Sequence, residues 1–234
     1  MGKILNIAHR GYSSVAPENT KKSFLEAVKL GVDMIELDVQ KTKDNVVVAI
    51  HDSEMGRTSN GSGKIEEMSW AELKKHDFGS GEKILTLEEA LKVINNRCGV
   101  IVELKDSLKG NEALVLNELK GLERKVWIHS GNWKILKNFK RLNDGVKSGY
   151  VLEFSFWRLL FAYLFIKKKV DFFSVSYEFF NKIWMIRLVM KLGVPIYVWT
   201  VNEYEKIKGL LSYNVAGIIS NHPERVKEIL SKRR

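Results

Sequence analysis

The sequence contains very little cysteine: Cys98 is the only one among 234 residues. A single cysteine excludes an internal disulfide framework and also excludes a metal site built from several thiolates. Any metal ion that this chain binds must therefore be held by aspartate, glutamate or histidine side chains.

Long apolar runs are also scarce. The first residues show no extended apolar stretch after Lys3, so we interpret them as a strand and not as a signal peptide. The most apolar segment, residues 150–166, is interrupted by Glu153 and Arg158. It is shorter than the ~20 residues that a membrane-spanning helix needs. These features predict a cytoplasmic protein.

Acidic residues are outnumbered by basic ones, 28 against 38, which gives a formal net charge of +10. Such a surface attracts anions, including phosphate esters, nucleic acids and anionic membranes, although a basic surface can also serve solubility alone. The sequence contains no RNA- or DNA-binding motif, so we expect no nucleic-acid partner.

Strand-like and helical segments alternate along the whole chain. Thr86 followed by Glu89 indicates a capping box at a helix start, and Gly31 indicates a helix end. A Gly-x-Gly-x-x-Gly motif does not follow the first strand, which argues against an open dinucleotide-binding sheet. The pattern predicts an α/β protein with a TIM-type (β/α)₈ barrel, as a single domain over residues 1–234. A polar, glycine-rich segment, about 53–84, follows the second strand region and is predicted to be an insertion at the carboxyl end of the barrel.

Several acidic and basic residues fall at the carboxyl ends of predicted strands, where the active sites of such barrels lie. Glu36 and Asp38 are two residues apart, so both should face the barrel mouth, and oxygen ligands of this kind suit Mg²⁺ or Ca²⁺. Glu103 and Lys105 repeat this spacing and would add a carboxylate and a phosphate-binding ammonium. Structural salt bridges are the alternative interpretation for both pairs.

Two histidines accompany these residues. His9 and Arg10 end the first strand, and His51 follows a β-rich run. The two imidazoles could act as a general acid and a general base, and Arg10 could bind phosphate through two nitrogens. A capping histidine and a surface arginine are the alternative. Asn19 belongs to a segment that is also typical of an ordinary helix start.

In combination, these motifs resemble the glycerophosphodiester phosphodiesterase family. The matching segments are His9-Arg10-Gly11, Glu18-Asn19-Thr20, Glu36-Leu37-Asp38-Val39, His51-Asp52, Arg57-Thr58, Thr86-Leu87-Glu88-Glu89-Ala90-Leu91, Glu103-Leu104-Lys105 and Gly217-Ile218-Ile219-Ser220-Asn221-His222-Pro223. The resemblance covers essentially the whole chain, including the polar insertion.

The resemblance implies metal-dependent hydrolysis of a glycerophosphodiester to glycerol 3-phosphate and an alcohol. It implies that Glu36, Asp38 and Glu103 bind a divalent cation, Mg²⁺ or Ca²⁺, and that His9 and His51 form the acid–base pair. It further implies phosphate contacts for Arg10 and Lys105, a supporting role for Asn19 and a pocket-lining role for Trp199, near the glycerol or alcohol group.

One segment departs from the family pattern. Family members commonly read Asp-Gly-Ile-Ile-Thr-Asp before their proline, whereas this chain reads Ala216-Gly217-Ile218-Ile219-Ser220-Asn221 and then His222. We expect these changes to affect the shape of the pocket more than catalysis, because they lie away from the predicted metal ligands.

Two other functions compete with this prediction. One is a non-catalytic protein that binds phosphate esters or lipids. The other is the same chemistry on a lysophospholipid or related lipid phosphodiester. The second is suggested by residues 154–169, an apolar segment that begins with Phe154 and ends with Lys167, Lys168 and Lys169. This segment could make a peripheral membrane contact or a homodimer contact, or simply pack as a barrel helix.

Overall fold

Strands arranged in a closed ring form the centre of the computed structural model, which describes residues 3–121, 125–143 and 145–232. In chain order the strands are β1 Leu5–His9, β2 Met34–Lys41, β3 Val47–Ala49, β4 Gly99–Leu104, β5 Val126–Ser130, β6 Ser148–Leu152, β7 Phe172–Ser176, β8 Ile196–Trp199 and β9 Gly217–Ser220. All except β3 are parallel to their neighbours, and β1 pairs with both β2 and β9. The predicted eight-stranded (β/α)₈ barrel is therefore confirmed.

Helices follow the barrel strands and cover the outside of the ring. In chain order the helices are α1 Lys21–Leu30, α2 Trp70–Leu73, α3 Leu87–Ile94, α4 Glu112–Glu118, α5 Trp133–Leu142, α6 Phe156–Phe161, α7 Ile183–Met190, α8 Tyr204–Leu210 and α9 Pro223–Ser231. Of these, α2 lies in the polar insertion and not on the ring. A π-helix, Ala162–Ile166, directly continues α6, and short 3₁₀ helices lie at Ile65–Glu67, Asp106–Leu108 and Tyr177–Asn181. The predicted helix signals are confirmed: Thr86 forms a capping box with Glu89, and Gly31 closes α1 in the left-handed conformation.

The barrel strands have two buried faces. Outward-facing residues such as Leu37 pack against the helices in the main hydrophobic core. Inward-facing residues near the strand starts, including Ile101, Phe172 and Tyr197, fill the lower half of the ring. Gly149 makes room for this layer, since a Cβ atom there would lie 2.1 Å from the ring of Phe172. The apolar layer forms a floor, so polar residues at the opposite strand ends share the mouth.

The polar insertion is a small structure of its own beside the mouth. Strand β3 pairs antiparallel with the end of β2, outside the ring. The following segment packs Met55, Ile65, Leu73 and Phe78 into a separate hydrophobic cluster. Arg57 projects from this segment and forms ion pairs with Glu18 and Asp52, which precede α1 and follow β3. The insertion is thereby tied to the loops at the carboxyl end of the barrel.

Across the ranges that the structure describes, we find no helix with the length and apolar character needed to cross a membrane.

Candidate active site

Strand register brings acidic groups and a histidine into one layer at the mouth. His9 on β1 lies opposite Glu36 on β2, Asp38 lies opposite Glu103 on β4, and Glu103 lies opposite His129 on β5. Parallel strands of a barrel place such residues at the same height. The predicted acidic residues therefore meet because of sheet register, and His129 joins them.

Glu36, Glu103 and His129 form a compact cluster. One ligand atom from each lies within 4.8 Å of the others. His129 Nε2 is 3.6 Å from Glu36 Oε1 and 3.8 Å from Glu103 Oε2. Its Nδ1 is 2.8 Å from the hydroxyl of Ser174 on β7, which fixes the ring orientation. A proton held on Nδ1 leaves the Nε2 lone pair directed at the two carboxylates.

Asp38 is completely buried and is neutralised by side chains of the protein itself. Lys105 Nζ lies 2.8 Å from Asp38 Oδ1, and Arg10 Nε lies 3.2 Å from Oδ2. Asn19 donates its amide to Oδ2 and accepts the Asp38 backbone N–H. Burial alone would raise the pKa of Asp38, but Lys105 and Arg10 outweigh it and hold that pKa well below its usual range.

Lys105 also contacts a second carboxylate, with Nζ 2.7 Å from Glu103 Oε1. Burial would lower the pKa of Lys105, but Asp38 and Glu103 raise it above its ordinary value. The ammonium is therefore charged at neutral pH and lies between the carboxylate cluster and Asp38. The ion-pair alternative for Glu103 and Lys105 is observed, although it does not preclude a role in phosphate binding.

His9 is held by the last strand. Its Nδ1 lies 2.6 Å from Oδ1 of Asn221, which directly follows β9, and its Nε2 lies 3.9 Å from Glu36. Asn221 is itself fixed, since its backbone N–H donates to Asn202. The closing segment therefore contacts a predicted catalytic residue directly. We expected the changes in this segment to affect pocket shape more than catalysis, and the contact with His9 links them to a predicted catalytic residue as well.

His51 is held by a chain of charged groups. Its Nδ1 is 2.7 Å from Asp52 Oδ1, and Asp52 Oδ2 accepts a hydrogen bond from Arg57. Arg57 donates two hydrogen bonds to Glu18, at 2.6 and 3.0 Å, and Glu18 accepts another from Arg10. Burial would raise the pKa of Asp52, but hydrogen bonds from Arg57 and His51 lower it below the ordinary value. Asp52 therefore remains an anion beside His51.

These side chains surround a small cavity of about 70 Å³ at the mouth. Its lining residues are His9, Arg10, Glu36, His51, Glu103, Lys105, His129, Val151, Glu153, Trp199 and Ile219. Asp38 and Asn19 are not among the described residues that line it. Four of the lining residues also border a cleft of about 1090 Å³ that extends over the loops after β4, β5 and β6: His51, Glu103, Lys105 and Glu153. A small reactive cavity thus opens into a larger groove.

The family model described as "Glycerophosphoryl diester phosphodiesterase family" matches residues 9–225. The chain belongs to this family. A glycerophosphodiester phosphodiesterase of Caldanaerobacter subterraneus is 32% identical, with 98% of this chain and 99% of the relative aligned. A Bacillus subtilis glycerophosphodiester phosphodiesterase is 30% identical over 95% of this chain and 85% of its own length. An Oleispira antarctica phosphodiesterase, solved in complex with the product sn-glycerol-3-phosphate, superposes with a TM-score of 0.85 at 27% identity, covering 96% of each chain.

For this glycerophosphoryl diester phosphodiesterase family member, the structure brings most predicted site residues into the one cavity. Both histidines, both basic side chains, two of the three predicted metal ligands and Trp199 line it. Asn19 lies behind the cavity and supports Asp38. The individual roles of these residues stay predictions.

A divalent cation fits the carboxylate–histidine cluster. Glu36 Oε1 and His129 Nε2 are buried and have no hydrogen-bond partner among the described residues. Buried polar atoms without partners are costly, and a cation between them would satisfy both. Among the described residues of the site, six carboxylates face four basic side chains, which are Arg10, Arg57, Lys105 and Arg158 against Glu18, Glu36, Asp38, Asp52, Glu103 and Glu153. These carboxylates outnumber the basic side chains by two, which suits a divalent ion.

Sequence reasoning missed three contributors to the site. His129 lies near the carboxyl end of β5, so the expectation that active-site residues lie at carboxyl strand ends, which selected Glu103, could have selected it as well. Glu153 directly follows β6 and lines the cavity. The third, Arg57, lies within the insertion and pairs with Glu18 and Asp52. These residues lie in three different loops, so the sequence does not show that they are close in space.

Proposed function

We propose that the protein hydrolyses glycerophosphodiesters to glycerol 3-phosphate and an alcohol. The observation that carries this proposal is the single cavity in which two histidines, two basic side chains and a carboxylate–histidine cluster converge. The family relationship supports it, as does the product bound to the Oleispira antarctica phosphodiesterase. Hydrolysis of an anionic phosphodiester needs positive charge for the phosphate and two groups that transfer protons, and this cavity contains both.

We propose that Glu36, Glu103 and His129 hold a divalent cation, Mg²⁺ or Ca²⁺, since oxygen ligands dominate the cluster. When bound, the cation would polarise the phosphoryl oxygens and offset charge in the transition state. The assignment of Asp38 as a ligand stays a prediction, because its oxygens here face Lys105, Arg10 and Asn19.

The side chains of the protein supply the other requirements. Arg10 and Lys105 place positive charge beside the cavity and would bind the phosphodiester. One histidine of the pair would take a proton from the attacking water or glycerol hydroxyl. The other would donate a proton to the departing alkoxide, so that the P–O bond to the alcohol breaks as phosphorus bonds to the attacking oxygen. If the glycerol hydroxyl attacks, water then opens the resulting cyclic phosphate to give glycerol 3-phosphate. Asn221 and Asp52 hold the Nδ1 atoms of His9 and His51, so that each Nε2 is free for this exchange.

The test is release of glycerol 3-phosphate from glycerophosphocholine and glycerophosphoethanolamine, measured with EDTA, Mg²⁺ or Ca²⁺. We expect metal-dependent release that His9→Gln and Glu36→Gln each reduce by at least about 100-fold. His76→Gln and Glu112→Gln are matched controls, since His76 lies in the insertion and Glu112 is as buried as Glu36. A folded protein that binds glycerol 3-phosphate but releases none would instead support the non-catalytic alternative.

The second candidate is the same reaction on a lysophospholipid or related lipid phosphodiester. The specific observation in its favour is a set of exposed aromatic side chains, such as Phe154 and Trp157, beside Glu153 of the active-site cavity. Running a lysophospholipid beside the soluble substrates in the same assay ranks the two candidates.

We further propose that the barrel and the insertion act as one domain, supported by the ion pairs of Arg57 with Glu18 and Asp52. Limited proteolysis that released a stable insertion fragment would argue against this. The predicted cytoplasmic location stays a prediction, which fractionation of the producing cells would test.

A further inference from the structure

The helical segment formed by α6 and the π-helix is apolar on its outward face. On its inner side Leu159, Ala162 and Ile166 are buried against the barrel, as expected for a barrel helix. Six large apolar residues point away from the barrel instead, and we call this set the aromatic ridge: Phe156, Trp157, Leu160, Phe161, Leu164 and Phe165. Their spacing of one and four residues places them in one stripe along a helix. The outer face of a barrel helix is usually polar, so the ridge requires a separate explanation.

The exposure of the ridge is extensive. Trp157 is 74% exposed, Leu164 59% and Phe165 56%. The apolar surface also continues onto the neighbouring helix, where Ile183 and Trp184 begin α7 and are exposed. The rings of Phe156 and Trp184 lie 6.3 Å apart, which joins the two helices into one surface.

This surface begins at the active-site mouth. Phe154 directly follows Glu153, which lines both the small cavity and the larger cleft. Arg158, on the first turn of α6, also lines the cleft and pairs with Glu153. The start of the ridge and the entrance for substrate are therefore only a few residues apart.

The charge around the ridge has one dominant sign. Between residues 154 and 191 the chain has seven basic side chains and two acidic ones, a surplus of five that equals half of the net charge of +10. Lys168, Lys182 and Lys191 are exposed. Lys167 lies over the ring of Tyr163, 3.6 Å from its centroid. Exposed aromatic residues with flanking lysines are typical of surfaces that enter the interface of an anionic bilayer.

We infer that the aromatic ridge, together with Ile183 and Trp184, is a docking surface for an anionic lipid bilayer. A second copy of this chain is the other occupant that an apolar face could take. The surplus of positive charge disfavours it, because two such faces would bring their lysines together. An anionic bilayer matches both the apolar centre of the surface and its basic surroundings.

Docking through this surface would hold the mouth of the barrel next to the headgroup layer. A lipid phosphodiester with a glycerophosphoryl group could then reach the cavity without leaving the bilayer completely. This consequence for the substrate rests on the proposed function, whereas the docking surface itself does not.

The experiment is co-sedimentation of the full chain with phosphatidylglycerol vesicles and, separately, with phosphatidylcholine vesicles, at low and high salt. We expect binding to phosphatidylglycerol that weakens as salt increases, with a blue shift of tryptophan fluorescence. Trp157→Ser and Leu164→Ser should each reduce the partition coefficient by about tenfold. Leu142→Ser is the matched control, because Leu142 is also exposed but lies at the end of α5, and it should bind as the parent does.

Three results would overturn the inference: absence of vesicle binding at low salt, binding that both ridge variants retain in full, and self-association in sedimentation velocity that Trp157→Ser abolishes. Glycerol 3-phosphate release from soluble glycerophosphocholine is measured on the same samples and should be unchanged in the ridge variants. Absence of vesicle binding by the unsubstituted protein, with intact release, would count against the docking surface alone. Vesicle binding without release from any substrate would count against the proposed function alone.

Discussion

Lys105→Met tests whether the buried ion pairs of the mouth stabilise this barrel. Methionine keeps most of the length and volume of the lysine stem but removes the ammonium that lies 2.8 Å from Asp38 and 2.7 Å from Glu103. Asp38 is fully buried, so the change leaves a carboxylate without one of its two neutralising charges.

The expected loss follows from these contacts. Removing one partner of a buried ion pair typically costs about 3–5 kcal/mol, because the remaining charge is no longer compensated. Arg10 and Asn19 still hold Asp38 in the variant, so we expect the lower part of this range. The predicted decrease in the free energy of unfolding is about 3 kcal/mol.

Urea denaturation at pH 7 in EDTA measures this loss without a contribution from metal binding. Lys83→Met is the matched control, since Lys83 also donates two hydrogen bonds but does so at the surface, to backbone carbonyl groups, and it should cost less than about 0.5 kcal/mol. The double variant Lys105→Met/Asp38→Asn should regain at least about 1 kcal/mol relative to the sum of the single changes. Strict additivity, or a loss for Lys105→Met no larger than that of the control, would refute the reasoning.

Three further changes test other parts of the molecule. His129→Gln should weaken Mg²⁺ or Ca²⁺ binding by at least about tenfold in a calorimetric titration, because it removes one of three clustered donors. Asn221→Ala should lower kcat about tenfold through loss of the hydrogen bond that holds His9, whereas Asn221→Asp keeps an acceptor oxygen and should retain more activity. Burial raises the pKa of Glu118 from 4.5 to about 7, so ionisation of Glu118 destabilises the folded state, and stability is lost as pH rises between these values. Glu118→Gln should remove this loss.

The stability lost through ionisation of Glu118 has an upper limit set by its pKa shift. At ~1.36 kcal/mol for each pH unit the full shift corresponds to about 3.4 kcal/mol, and partial solvent contact reduces it to about 1–2 kcal/mol at pH 8. The gain should be small at pH 5, where the folded state keeps its proton. Exposed Glu205, which pairs with Lys208 on α8, is the matched site, and Glu205→Gln should show no comparable gain. An equal gain from Glu118→Gln at both pH values would contradict this explanation.

The sequence predicted much of the fold because its signals were local. Strand and helix periodicity, the Thr86 capping box and the Gly31 helix end each depend on a few neighbouring residues, and all are present. The position of Glu36 and Glu103 at the barrel mouth could also be predicted, because both lie near the carboxyl ends of strands and side chains alternate between the two faces of a strand.

The remaining details could not be read from spacing because they depend on closure of the ring. The surroundings of Asp38 are set by Lys105 and Arg10, which directly follow β4 and β1, the strands on either side of β2. The contact between His9 and Asn221 joins residues more than two hundred positions apart, and only the pairing of β1 with β9 creates it. The sequence also could not show which apolar side chains of residues 156–165 are exposed. Apolar residues cover more than one face of this helix, and the pattern alone does not show which face packs on the barrel.

The pairing of β1 with β9 has a consequence for how this protein becomes active. The first strand carries His9, and the segment that orients it follows the last strand of the barrel, more than two hundred residues later in the chain. Until the ring closes, His9 lacks its partner and the mouth has no wall on that side. Appearance of activity during synthesis or refolding should therefore coincide with completion of the barrel, and not with formation of its early βα units. Enzymatic activity would therefore report whether β1 has paired with β9 and the barrel has closed.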